Sequence, residues 1–288
     1  MYAPVKPAID SYCWHRFYGD PYPGLQRDPG RRMTVWDVLD RARALGVAGV
    51  SLESCYLPED DAFLERLRDA LDTAGLERVW AWGHPDGLGS GTRPEAEQDL
   101  IRHLRIARRL GAGVMRICCG SRRTRPAAWP DHRAALLPAL RRLLPAAEEA
   151  GVVMAIENHL DLLAAELAEL VETVRSPVLG VCLDTGNNVR LGEDPLHVVR
   201  VLAPYARATH VKDVAPLPGA RDAFSAWPSV PLGAGVVDIP AVLNTLRGAG
   251  YDGLLALELD YLHPDHGEDE DAAIERSLEV LRAALAAG

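Results

Sequence analysis

Four short apolar runs in this chain stop at a residue able to bind a cation or move a proton. Val152–Ile156 runs into Glu157-Asn158-His159, and Leu179–Leu183 ends at Asp184. Ala206-Arg207-Ala208-Thr209 runs into His210, and Gly253-Leu254-Leu255-Ala256-Leu257 ends at Glu258. A run of this kind, bounded by Gly, reads as a strand buried on both faces. A carboxylate at its C-terminal end has no packing role. Two Glu, one Asp and one His at equivalent strand ends make a hard, mostly oxygen donor set for one divalent cation. Mn²⁺ is the first expectation, with Mg²⁺, Co²⁺ and Zn²⁺ as alternatives. No Cys stands at these ends, which excludes a thiolate site.

These ends work together only if the fold carries them to one place. Apolar runs alternate with helical spacing eight times along the chain. Strands are expected at Ala8–Cys13, Val47–Leu52, Arg78–Trp82, Gly113–Ile117, Val152–Ile156, Leu179–Leu183, Arg207–Val211 and Leu254–Leu257. Helices are expected at Val35–Leu45, Asp60–Ala74, Pro94–Leu110, Asp131–Ala150, Leu162–Val174, Pro195–Leu202, Ile239–Arg247 and Asp269–Leu285. Pro138 and Pro145 should bend the fourth helix, and a long loop, Asp213–Val237, follows the seventh strand. No linker or low-complexity tract divides the chain, so residues 1–288 read as a single (β/α)8 TIM barrel of the α/β class, a fold that needs about 250 residues. A doubly wound sheet is the alternative, but GxGxxG is missing after the first strand. The working face of such a barrel is the C-terminal end of its strands. Glu157, Asp184, His210 and Glu258 all fall there, on the fifth to eighth strands.

The 288 residues are 48% hydrophobic, ample for a core, and carry a formal net charge of -10. That acidity argues against nucleic acid or an anionic membrane as partner. Five scattered cysteines, Cys13, Cys55, Cys118, Cys119 and Cys182, form no CxxC and suit reduced packing residues in a cytoplasmic protein. The first residues lack a signal-peptide profile, and no apolar run approaches the roughly 18 residues of a membrane span. Assembly into a homo-oligomer stays open.

Longer stretches around the strand ends carry a resemblance. They are Ile156-Glu157-Asn158-His159, Asp184-Thr185-Gly186-Asn187, His210-Val211-Lys212-Asp213, Pro231-Leu232-Gly233-Ala234-Gly235-Val236-Val237-Asp238 and Leu257-Glu258. Through them the chain resembles, over nearly its whole length, the xylose-isomerase-like TIM-barrel superfamily. That superfamily holds sugar isomerases and epimerases, inosose dehydratase, hydroxypyruvate isomerase and endonuclease IV. The resemblance implies Glu157, Asp184, His210 and Glu258 as metal ligands, with the two glutamates doubling as the catalytic acid and base.

The chemistry expected is a divalent-metal-dependent sugar isomerase or epimerase. A proton leaves the carbon beside a carbonyl through a metal-stabilised enediolate, and an acid returns it elsewhere. His159 is a second catalytic candidate, since a residue two beyond Glu157 points the same way if the strand continues. With His159 as base, the alternative is a lyase or dehydratase acting on a keto-sugar, an inosose or an oxidised glycoside. Glu53, His84, Arg116, Asn187 and Lys212 are candidate substrate contacts. Trp14, His15 and Trp227 are candidates for a pocket wall, with core packing the default. The substrate expected is a small carbohydrate or polyol-derived ketone; the lack of a Gly-rich cradle leans away from phosphorylated sugars. Two departures matter. Asn187 stands where endonuclease IV and the tagatose- and psicose-type epimerases carry His, and no Asp-x-His pair follows the seventh strand, which disfavours a nuclease. Ala234 replaces an acidic residue common in the Gly-Glu-Gly form of its loop.

Overall fold

The computed structural model describes residues 5–84, 86–219 and 226–287. Eight parallel strands close into a barrel: β1 Lys6–Asp10, β2 Gly49–Glu53, β3 Glu77–Ala81, β4 Val114–Ile117, β5 Val153–Glu157, β6 Leu179–Asp184, β7 Ala206–Val211 and, after two short strands, β10 Leu254–Leu257. β10 pairs with both β7 and β1, which closes the ring. Helices α1 Val35–Ala44, α2 Asp61–Ala74, α3 Pro94–Leu110, α4 Trp129–Ala150, α5 Ala164–Val174, α6 Pro195–Leu202, α7 Ile239–Gly248 and α8 Glu270–Ala286 follow the eight strands in turn. The expected (β/α)8 barrel is therefore the observed one. Pro138 and Pro145 lie inside α4 without dividing it.

Strand alternation sorts the side chains. Ile9, Leu52, Trp80, Met115, Met154, Ile156, Val181, Leu183, Val211 and Leu257 belong to the main core with the helices. A second, small cluster holds Ala8, Val79, Ala155, Cys182, Ala208, Leu254 and Ala256. Its members share the strand parity of Asp10, Glu157, Asp184, His210 and Glu258, so a narrow floor of small side chains lies beneath the polar strand ends. Asp184 is in register with His210, and Glu157 with Cys182.

The first strand ends earlier than its sequence suggests. It stops at Asp10, whose carboxylate accepts from the Tyr12 backbone N–H at 2.6 Å and starts a 3₁₀ segment, Ser11–Tyr18. Trp14 is buried in the core, its indole N–H donating to Asp271 on α8 at 2.8 Å. His15 is fully buried between Gln26 and the Tyr12 carbonyl. Both are packing residues and not pocket walls. The long loop after β7 contains two strands that the sequence did not reveal, β8 Asp213–Val214 and β9 Ser229–Val230, paired antiparallel.

Asp213 explains the glycine-rich motif that follows. One carboxylate oxygen accepts from the Val214 and Val237 N–H groups at 2.9 and 3.0 Å; the other accepts from Gly233 and Gly235 at 2.9 and 2.8 Å. A Cβ on Gly235 would lie 2.2 Å from that carboxylate, so the chain passes too close for any side chain. Ala234 is exposed on the outer side of this turn. The stretch Pro231–Asp238 is thus a fastening. Asp213→Asn replaces one acceptor oxygen with an amide that faces two N–H donors. It should cost about 2 kcal/mol of stability, read as a lower urea midpoint; an unchanged midpoint would show that the loop holds itself.

The five cysteines are all free thiols, and only Cys55 is exposed. Among the described residues, no helix is long and apolar enough to cross a membrane.

Candidate active site

Glu157, Asp184 and His210 each offer one ligand atom, and these atoms lie within 4.8 Å of one another. All three side chains are buried. Asp184 is rigidly seated: its Oδ1 accepts from the backbone N–H groups of Gly186 and Asn187 at 2.8 and 2.6 Å. That leaves Oδ2 facing the centre. Glu157 is held at both oxygens, Oε1 by the Asn187 amide at 2.9 Å and Oε2 by Arg116 at 3.3 Å. His210 turns Nδ1 toward Glu157 Oε1 at 3.7 Å and Glu258 Oε2 at 3.5 Å, and Nε2 toward Asp10 Oδ2 at 3.3 Å. Glu258 lies outside the tight triad. It borders the centre with Oε2 2.6 Å from the Lys212 ammonium.

The donor set fits a divalent cation. Asp10 Oδ2, Asp184 Oδ2, Glu258 Oε2 and both ring nitrogens of His210 are buried and lack a hydrogen-bond partner among the described residues. Asp184 Oδ2 and Glu258 Oε2 meet the Lys212 ammonium only as ion pairs, and Asp10 Oδ2 faces His210 Nε2 on the far side of the ring, so a divalent cation would be held by Glu157, Asp184 and one ring nitrogen of His210. A carboxylate behind a histidine also fixes the ring, an arrangement found behind metal-binding imidazoles.

The electrostatics separate the two glutamates. Burial works against ionising Glu157, yet the His210 and Arg116 charges hold it well below the usual carboxylate range. Burial pushes Glu258 up to about 7, with Lys212 and His210 opposing. Burial also holds the His159 imidazole below its ordinary value. His159 is half-buried, and its Nδ1 has no partner among the described residues.

The remaining expected residues divide. Glu53 and Arg116 form a buried ion pair at the ends of β2 and β4, next to Glu157. Lys212 and Asn187 reach the centre. His84 is half-buried and stacked on Trp82, its ring 5.1 Å away. Trp227 is half-buried, and its carbonyl accepts from Arg190.

Four residues escaped the sequence reading. Asp10 stands behind His210. Asn158 ties the ends of β5 and β6 together, exchanging hydrogen bonds with the Asp184 backbone at 2.7 and 2.8 Å. Asp260 and Arg190 pair at 2.7 Å behind Lys212. Asp10 carried a usable signal, an acid directly after the apolar pair Ala8-Ile9.

Asp161, four residues beyond Glu157, is fully buried, and neither carboxylate oxygen has a partner among the described residues. Burial pushes it from 3.8 up to about 7. The folded chain therefore keeps a proton that the unfolded chain releases between these values. This contribution is complete below the unfolded value and is lost as pH rises through the folded one. Asp161→Asn should remove the dependence and make the protein more stable than wild type at pH 8, on the order of 2 kcal/mol. Urea melts at pH 5 and pH 8 measure it; parallel behaviour of the two proteins would show that Asp161 is ionised throughout.

Closed parallel barrel and polar centre at the strand C-termini together define a TIM-barrel enzyme architecture. The chain belongs to the xylose isomerase-like TIM-barrel family, whose model matches residues 39–284. It is 32% identical over 243 residues to 2-epi-5-epi-valiolone 7-phosphate 2-epimerase of an Actinoplanes species, covering 81% of this chain and 85% of that one. It is 30% identical over 186 residues to 3-oxo-isoapionate decarboxylase of Pectobacterium atrosepticum, covering 65% of this chain but only 62% of that enzyme. Inosose dehydratase of Lacticaseibacillus casei is 23% identical over 258 residues, with 80% and 84% covered. Among solved structures, a xylose isomerase-like TIM-barrel protein from Mycobacterium smegmatis in complex with magnesium superposes with a TM-score of 0.73 at 18% identity, over 99% of this chain and 98% of that one. That likeness is one of fold.

Proposed function

We propose that the protein is a divalent-cation-dependent isomerase or epimerase of small polyhydroxylated ketones. Glu157, Asp184, His210 and Glu258 hold the ion, and Glu157 and Glu258 transfer the proton. The observation that carries this reading is the convergence of one ligand atom each from the buried Glu157, Asp184 and His210 within 4.8 Å of one another, with Glu258 at the border. When bound, the cation supplies the Lewis acidity that makes a C–H beside a carbonyl acidic enough to lose its proton. The side chains do the rest. Asp184 and His210 come from the adjacent strands β6 and β7, and the two glutamates flank them from β5 and the end of β10. Two carboxylates reaching one centre from two sides suit removal of a proton by one and its return by the other. Arg116 and Asn187 keep Glu157 aimed, while Lys212 keeps Glu258 in place. The epimerase relative supports this assignment.

A lyase is the second reading, favoured by the unpartnered Nδ1 of His159 and by the inosose dehydratase and decarboxylase relatives. One experiment addresses both. Protein stripped with a chelator and reloaded with Mn²⁺ is incubated in D₂O with a panel of ketohexoses and inososes, then followed by NMR and mass spectrometry. Mn²⁺-dependent deuterium uptake beside the carbonyl, with the mass otherwise conserved, is the expected result. Loss of water or carbon dioxide would move the assignment to a lyase. No exchange and no bound metal would sink the enzyme reading.

A further inference from the structure

Lys212 is placed unlike a simple substrate contact. Its side chain is only 3% exposed, and its ammonium touches four oxygens: Glu258 Oε2 at 2.6 Å, Asp184 Oδ2 at 3.2 Å, Asp260 Oδ2 at 3.3 Å and Asn187 Oδ1 at 3.4 Å. Only the contacts to Asp260 and Asn187 have hydrogen-bond alignment. Those two hold the ammonium from behind, and Asp260 is itself fixed by Arg190 at 2.7 Å and Ser229 at 2.6 Å. Toward the centre the ammonium meets two oxygens proposed to bind the divalent ion, and it meets them as a charge.

The chain is built around this lysine. Each residue of Asp184-Thr185-Gly186-Asn187 touches it. The Thr185 hydroxyl donates to the Lys212 carbonyl at 2.6 Å and accepts from its N–H at 2.8 Å. A Cβ on Gly186 would sit 3.1 and 3.2 Å from Lys212 Cγ and Cδ, so the bare glycine lets the stem pass. Asp184 and Asn187 receive the head. A long side chain so thoroughly fixed loses its rotamer freedom, and the fold sustains that cost at the one point where a second cation is expected.

We propose that Lys212 is a resident cation that competes electrostatically with the divalent ion for Asp184 and Glu258 and thereby sets the affinity of the site. Without the divalent ion, the ammonium balances the carboxylates and keeps the site assembled. With the ion present, two positive charges share the same oxygens, and the repulsion weakens metal binding. The inference rests on the proposed divalent site and adds an outcome opposite to the usual one: removing a side chain from a metal centre should tighten the metal.

Calorimetric titration with Mn²⁺ alone, on chelator-stripped full-length protein, tests it. Lys212→Met keeps the aliphatic stem, and Lys212→Gln keeps a polar head should the methionine variant fail to fold. Both should bind Mn²⁺ about tenfold or more tightly than wild type. Both should melt at lower temperature than wild type when ion-free, and gain more on loading. Asp260→Asn, which removes the grip from behind and leaves the ammonium to Asp184 and Glu258, should weaken Mn²⁺ binding. Wild-type binding of Mn²⁺ with unchanged or weaker binding in the Lys212 variants would overturn the role of Lys212 alone. Absence of Mn²⁺ binding in wild type and variants alike would overturn the divalent site itself.

Discussion

Asp184→Asn is expected to lower turnover about a thousandfold while leaving the fold intact. Asp184 spends one oxygen on structure, accepting from the Gly186 and Asn187 backbone N–H groups. Asparagine can keep that role with its carbonyl. Its amide then replaces Oδ2, the oxygen facing the centre, 3.2 Å from the Lys212 ammonium. An acceptor becomes a donor, directed at a cation and at the place where the divalent ion should lie. Losing one designed electrostatic contact at a reacting centre costs about 10²–10³ in rate, and the weakened hold on the ion adds to that. Circular dichroism, Mn²⁺ titration and turnover separate the effects. Near-wild-type turnover with normal Mn²⁺ affinity would remove Asp184 from the centre.

The same residue shows how much of the site was legible beforehand. Strands buried on both faces have near-continuous apolar sequences, so a polar residue at the end of one stands out. Asp184, His210 and Glu258 each broke such a run, and the fold does bring the first two together with Glu157. Leu254–Leu257 is a strand with the expected bounds. Family resemblance pointed to the same residues, and the chain does belong to that family.

What stayed hidden was the support around these ends. From sequence Asp10 falls mid-strand, because apolar and polar residues continue to mix through Cys13. The strand really ends where the Asp10 carboxylate captures the Tyr12 N–H, a local competition that no periodicity reports. Asp260 lies in a loop and Arg190 in the 3₁₀ turn Asn187–Leu191, and their meaning comes only from the pairing of Asp260 with both Lys212 and Arg190. The glycine-rich motif read as a mark of the family, but its physical content is four N–H groups turned onto Asp213. Sequence patterns identify the groups that face the centre. Long-range charge and hydrogen bonding decide which neighbours hold them, and those pairings carry no fixed spacing.

Arg116 offers the largest test of that support. It lies almost wholly buried between Glu53 and Glu157, with its Nη1 also donating to the Trp82 carbonyl at 3.3 Å. Arg116→Met would keep much of the volume but leave two buried carboxylates without their cation. Breaking a buried ion pair from one side costs about 3–5 kcal/mol, a large part of the 5–15 kcal/mol that holds an ordinary domain together. The urea midpoint should fall accordingly. Much of that loss reflects the stranded Glu53 carboxylate, so Arg116→Met combined with Glu53→Gln should recover part of it, showing the non-additivity expected of residues in contact. Turnover should not recover in the double variant, because Glu157 would still lack the guanidinium that fixes its Oε2 and favours its charged form. A single variant as stable as wild type would show that the guanidinium is not needed to balance these carboxylates. A double variant with restored turnover would show that Arg116 acts on folding and not on Glu157.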